Sequence, residues 1–220
     1  MTQRSCATEY TGHYNAVAPF DNRIGIMGGT FDPVHNGHIK MGMDAHDEFG
    51  LSKVLYIPTG RPPHKAKSEV TNNEHRMTML ELAVDQPYMQ PSRIEIDRRG
   101  TTYAVDTLSL LKRIFKEHVF YYIIGSDTLF NLHSWKNISQ VLTMTHFIVF
   151  LREDDNAQKV NEMIDFYNAS GIMRFFLARE PGLPISSTDI RLRLLNGSDL
   201  SGLLPEKVSE YIKENNLYIK

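Results

Sequence analysis

Past a polar opening stretch, apolar positions along this chain fall into two alternating patterns. Short runs rich in β-branched and aromatic residues predict strands at Ile24–Met27, Val54–Pro58, Arg93–Ile96, Val119–Ile124, His146–Leu151 and Met173–Ala178. Amphipathic stretches between them predict helices at Gly37–Phe49, Asn72–Asp85, Tyr103–Lys116, Ser139–Thr143 and Ala157–Ala169. Two further helices, Thr188–Leu195 and Pro205–Asn215, close the chain. Strands alternating with helices imply right-handed crossovers and a parallel sheet covered on both faces. The expected architecture is α/β, a doubly wound, Rossmann-like parallel sheet with helices on both faces and a small C-terminal helical part. Some boundaries carry their own chemistry. Thr71-Asn72-Asn73-Glu74 reads as a capping box, Gly197 as a helix-closing residue and Pro205 as a helix opener.

Residues Met1–Asn22 show neither period and lack the apolar core of a signal peptide, so 1–22 is expected to be a flexible extension and 23–220 the folded domain. Composition narrows the class. The 220 residues are 41% hydrophobic and 23% charged, as in ordinary soluble domains. A net charge of −2 gives no basic excess to suggest nucleic acid or membrane as a partner. Apolar runs such as Phe147–Leu151 are far too short to span a bilayer. A single cysteine, Cys6, makes neither an internal disulfide nor a cysteine-rich zinc site, and a cytoplasmic setting is expected.

In open parallel sheets the site lies beyond the carboxyl ends of the strands. After the first strand comes Gly28-Gly29-Thr30-Phe31-Asp32-Pro33-Val34-His35-Asn36-Gly37-His38. Two glycines there allow a tight turn and close approach of a ligand. The spacing fits neither the G-x-G-x-x-G fingerprint nor a Walker A loop. Instead His35 and His38 sit three apart at the mouth of a helix, whose free amides and dipole favour phosphate. Such a pair alone would also fit a cap and a packed surface residue. The flanking glycines favour phosphate binding, and a metal reading lacks further ligands beyond Asp32, Asp44 and His46.

This segment resembles the signature of the HxGH nucleotidyltransferases, most closely the bacterial nicotinate-nucleotide adenylyltransferases. The resemblance implies that Gly28, Gly29, Thr30 and Phe31 lie against ATP and that His35 and His38 contact its phosphates. Further segments match in order. Ile185-Ser186-Ser187-Thr188-Asp189-Ile190-Arg191 is, physically, a hydroxyl-rich N-cap with an arginine one turn in, which fits an anion or a plain cap. The resemblance assigns Ile185, Ser186, Ser187, Thr188 and Arg191 to ATP, with Arg191 on its phosphates. The rigid loop Ile57-Pro58-Thr59-Gly60-Arg61-Pro62-Pro63-His64-Lys65 resembles the family's PPHK loop, whose lysine lies near the mononucleotide. Arg61 stands where the family commonly has another residue, and no role is assigned to it.

Asp97–Leu108 resembles the family's substrate segment, which implies mononucleotide contacts from Thr102, Tyr103 and Asp106. Gly125-Ser126-Asp127 follows the fourth strand, where Gly125 permits close approach and Asp127 can accept from ribose hydroxyls. Trp135, in a polar setting, is unsuited to a core and is expected to stack on a pyridine ring. The resemblance runs from Arg23 to Lys220. It implies adenylyl transfer from ATP to nicotinate mononucleotide, giving deamido-NAD and pyrophosphate, through His35, His38, Lys65 and Arg191. Mg²⁺ is expected on the ATP phosphates, with no dedicated protein metal site.

Overall fold

The computed structural model describes residues 22–62, 70–152, 155–169 and 174–219. Its six strands are β1 (Arg23–Gly29), β2 (Lys53–Pro58), β3 (Met89–Pro91), β4 (Val119–Gly125), β5 (His146–Phe150) and β6 (Phe175–Leu177). They form one sheet in the order β3-β2-β1-β4-β5-β6, and every neighbouring pair is parallel. The helices are α1 (Asn36–Phe49), α2 (Asn73–Ala83), α3 (Ala104–Ile114), α4 (Ser126–Asn131), α5 (Ile138–Met144), α6 (Ala157–Asn168), α7 (Ser187–Asn196) and α8 (Glu206–Glu214).

The period of two along each strand divides the core into two layers. Val54, Tyr56, Tyr121, Ile123, Ile148 and Phe150 point to one face, where Ala45, Leu80, Ile190 and Val208 cover them from α1, α2, α7 and α8. Leu55, Ile57, Phe120, Ile124, Phe147 and Val149 point to the other, beneath Leu108, Leu129, Val141 and Ile164 from α3, α4, α5 and α6. The doubly wound architecture expected from the alternation is therefore present, with α7 and α8 packed on the first layer.

Some local expectations differ from the structure. Arg93–Ile96 is a turn, and the strand in that region is Met89–Pro91. Arg-Ile-Glu-Ile has the alternation of a strand but no partner. Residues of β2 face β3 alternately, Val54 and then Tyr56, and the next in that series, Pro58, has no N–H to continue the ladder, while Thr59 donates to the Gly29 carbonyl of β1 at 2.8 Å. The cap of α2 is Asn72 rather than Thr71, since the Asn72 side chain accepts from the Glu74 N–H. Helix α4 was not expected, because its six residues are too few to show a helical period. The glycines after the first strand do not make its turn; Gly28 and Gly29 still belong to β1, and Phe31 takes the left-handed conformation at φ 49°. Gly28 serves space instead: a Cβ there would overlap the Tyr122 hydroxyl. Met1–Asp21 lie outside the described residues.

One buried cation ties the loops at the strand ends together. Arg76 on α2 is fully buried, and its guanidinium donates to the carbonyls of Thr30 (2.5 Å), Thr59 (2.7 Å) and Thr71 (3.0 Å) and to Asn73 Oδ1 (2.6 Å). Buried Asp32 supplies opposite charge nearby, and accepts from the Thr71 N–H and the Tyr218 hydroxyl. Removing one member of a buried charge pair leaves the other uncompensated, at a cost of about 3–5 kcal/mol. Arg76→Met is therefore expected to lower the unfolding free energy by about that amount, read from urea denaturation; a loss below ~1 kcal/mol would show that the clamp contributes little.

Candidate active site

The strand order reverses between β1 and β4, and a cavity of about 410 Å³ opens there beyond the carboxyl ends. Of the predicted site residues it gathers Gly28, His35, His38, Gly125, Asp127, Trp135, Ile185, Ser186 and Ser187. A larger cleft of about 850 Å³ lies near Gly60, Arg61 and Arg93, away from the histidines. The smaller cavity is the candidate site, because it holds both imidazoles and the ends of the two central strands.

His35 is the N-cap residue of α1 and His38 its third residue, so one helical turn brings the rings face to face. Their centroids are 3.6 Å apart at 26°, and Phe31 meets His38 edge-on at 4.9 Å. The His35 backbone N–H donates to His38 Nδ1 at 3.3 Å. That bond requires a bare Nδ1, so the His38 proton sits on Nε2 as a donor. Burial pushes the His35 imidazole down to about 4, aided by the positive charge of Arg152. Burial likewise holds His38 well below the usual range, aided by His35 and then Arg152. Both rings are thus neutral at pH 7. His35 Nδ1 is buried without a protein partner among the described residues, an atom that a ligand would satisfy.

Helix α7 is docked on the histidine loop. Ser187 Oγ donates to the Pro33 carbonyl at 2.9 Å, and Arg191 Nη1 to the Asp32 carbonyl at 2.7 Å. Ser186 caps α7 by accepting from the Asp189 N–H, and Thr188 Oγ1 accepts from Arg191 Nη2. Arg191 and Thr188 stand beside the cavity rather than on its wall, as do Gly29, Thr30 and Phe31. Phe31 is buried beneath His38 and Tyr56.

On the opposite side, Trp135 differs from the free aromatic expected. A 3₁₀ turn over Leu132–Ser134 presses it edge-on against Tyr122 (5.3 Å) and Phe147 (6.5 Å), so it is half-buried while still facing the cavity. Next to it, Lys136 Nζ lies 4.3 Å from the centre of the Tyr103 ring, which brings the start of α3 beside the tryptophan loop. Thr102 is committed elsewhere: its N–H donates to the Arg61 carbonyl at 3.1 Å and its hydroxyl contacts the same carbonyl. Asp106 is exposed in the first turn of α3. Lys65 lies outside the described residues.

Arg152, two residues past the end of β5, was missed by the sequence reading. Its Nε donates to Asp127 Oδ1 at 3.0 Å, and its backbone N–H to Ser126 Oγ, which in turn bonds to Asp155. Nη1 and Nη2 make no hydrogen bond to the described residues, so the fork remains available on the cavity wall. The useful signal was position: a cation following a central strand at its carboxyl end.

Paired imidazoles at a helix mouth, with hydroxyls and an arginine docked on the same loop, form a site suited to phosphate groups. The cytidylyltransferase-like family pattern matches residues 26–193. Two bacterial relatives, each named "Probable nicotinate-nucleotide adenylyltransferase", align over nearly the whole chain. The one from Moorella thermoacetica is 42% identical over 89% of this chain and 91% of its own. The one from Thermoanaerobacter sp. is 40% identical over 90% and 95%. A solved Plasmodium falciparum nicotinic acid mononucleotide adenylyltransferase, complexed with NaAD, has the same fold: TM-score 0.73 at 19% identity, covering 90% of this chain and 97% of that one. The chain belongs to the nicotinate-nucleotide adenylyltransferases of the cytidylyltransferase-like family.

The depressed histidines make stability depend on pH. An unfolded imidazole takes its proton near 6.5, whereas folded His35 resists until about 4. Between those values the unfolded state binds more protons, so stability is full above 6.5 and falls as pH drops toward 4. Going from pH 7 to pH 5, wild type should lose about 2 kcal/mol more than His35→Gln in urea unfolding. Equal losses would mean that His35 titrates normally in the folded protein.

Proposed function

We propose that the protein transfers the adenylyl group of ATP to nicotinate mononucleotide, yielding deamido-NAD and pyrophosphate. The observation that carries this reading is the stacked, neutral imidazole pair at the N-terminus of α1, facing a cavity that also holds Asp127 and Trp135. An oxygen of the mononucleotide phosphate forms a bond to the α-phosphorus of ATP as the bond to pyrophosphate breaks in line. The attacking phosphate is already anionic, so no side chain acts as general base. Positioning and charge stabilisation supply the catalysis.

In this reading the His38 Nε2–H and the His35 ring donate to the α-phosphate oxygens as charge builds on them. Neutral rings suit the task, since each still carries one N–H to donate while avoiding the cost of a buried charge. Arg191 has five N–H donors and spends two on Asp32 and Thr188, leaving donors for the departing pyrophosphate, with Ser186 and Ser187 beside it. Gly125 and Asp127 receive the ribose, the Trp135 face receives the pyridine ring, and Lys65 approaches the mononucleotide. Mg²⁺ arrives as the counter-ion of ATP. The nicotinate carboxylate is met by the start of α3 at Tyr103 and by Lys136 rather than by Thr102, whose N–H is already used.

Pyrophosphate release from ATP and nicotinate mononucleotide tests the reading; no release above background would reject it. His38→Ala should cut kcat by ~10²–10³ with a smaller effect on KM for ATP. A near wild-type kcat would remove this histidine from the mechanism. Nicotinate mononucleotide should be preferred over its amide by about a hundredfold in kcat/KM, because an amide NH₂ faces donors where the acid accepts. Equal values would show that no donor-lined carboxylate pocket exists.

A further inference from the structure

Glu95 is buried on the turn after β3, and nothing in the adenylyl-transfer chemistry uses it. Its surroundings come from three separate segments. Thr107 on α3 donates its hydroxyl to Glu95 Oε1 at 2.6 Å. The Thr102 hydroxyl and the Gly60 N–H also face the carboxyl, and Arg98 adds positive charge beside it. Gly60 must be glycine, since a Cβ there would overlap the Glu95 carbonyl. Arg98 Nη1 and Nη2 are buried with no hydrogen-bond partner among the described residues, and the positive charge of Arg98 acts on the Glu95 carboxyl.

These bonds join two pieces of the mononucleotide subsite. Thr107 also contacts the Tyr103 carbonyl at 3.3 Å, which places the carboxyl directly under the first turn of α3. Gly60 and Arg61 continue β2, and Arg61 pairs with Thr102 through its N–H and its carbonyl. Shifting Glu95 would therefore move the α3 start and the loop after β2 together. The ATP side is built from other parts: α1, α7 and the ends of β4 and β5. A group that holds a subsite in its productive geometry without touching the ligand acts through the geometry alone.

We propose that Glu95 is a positioning residue for the mononucleotide: it locks the start of α3 to the loop after β2 and so sets affinity for that substrate and not for ATP. This rests on the assignment of the mononucleotide to the Tyr103–Trp135 side. Its alternative is a structural role shared by both substrates.

The test uses the full-length protein with three changes: Glu95→Gln, Glu95→Ala, and Glu95→Met combined with Arg98→Met. The double variant removes both buried charges, so it keeps the proposal testable should Glu95→Ala fail to fold with Arg98 left unpaired. Kd for nicotinate mononucleotide and for ATP are measured by calorimetry, and KM and kcat by pyrophosphate release. Glu95→Ala, or the double variant in its place, should weaken mononucleotide binding about tenfold or more, with ATP Kd within about twofold. Glu95→Gln keeps an acceptor for Thr107 but puts an NH₂ toward the other donors, so it should fall between. Parallel weakening of both substrates, or unchanged mononucleotide Kd, overturns the proposal. Wild type that binds the mononucleotide but releases no pyrophosphate would sink the functional reading alone; wild type that does not bind it overturns both.

Discussion

Everything at this site depends on holding one irregular loop, Thr30–Val34, against the end of a parallel sheet. A loop there has backbone carbonyls with no ladder to absorb them. The chain meets this with cations. Arg76 takes the Thr30 carbonyl from below, and Arg191 takes the Asp32 carbonyl from α7. The Asp32 carboxylate faces inward to Thr71 and Tyr218, so the loop is bound on both sides by groups distant in sequence. His35 follows this loop directly and opens α1. Its ring position, and through the stacking that of His38, is inherited from the clamp.

Desolvation then sets the electrical state of the pair. Two imidazoles at van der Waals separation beside an arginine cannot both carry charge, and burial favours neither carrying any. The result is a site whose donors are N–H dipoles fixed in place, next to a helix N-terminus of the same polarity. Such an environment favours negative charge that develops during reaction without requiring the protein to reorganise. The second half of the cavity has a different character, with aromatic surface from Trp135 and Tyr122, and Lys136 lies over Tyr103 beside it. A polyanion on one side and a flat, charged heteroaromatic on the other match this division.

Much of this was legible in the sequence because it is written in local pattern. The four central strands are runs such as Val54–Ile57 and Phe120–Ile124, and the histidine loop is contiguous. Where tertiary context decides, the reading failed. Arg93–Ile96 alternates as a strand should, but the next residue of β2 that faces it after Tyr56 is Pro58, which has no N–H to donate. Arg76 lies in an amphipathic helix where an arginine normally faces water, so its burial has no local mark. Thr102 reads as a free helix-start donor only until Arg61 is placed beside it. Arg152 carried a positional signal, as the cation after β5, but Asp127 and the imidazoles meet it only in the folded sheet.

The account turns on the histidines being neutral donors with a defined tautomer, and nitrogen-15 NMR of the two imidazoles reads this directly. For His38 the spectra should show a bare Nδ1 and a protonated Nε2, and neither ring should gain a second proton between pH 7 and about pH 5. Titration of either ring near 6.5, or a proton on His38 Nδ1, would contradict it.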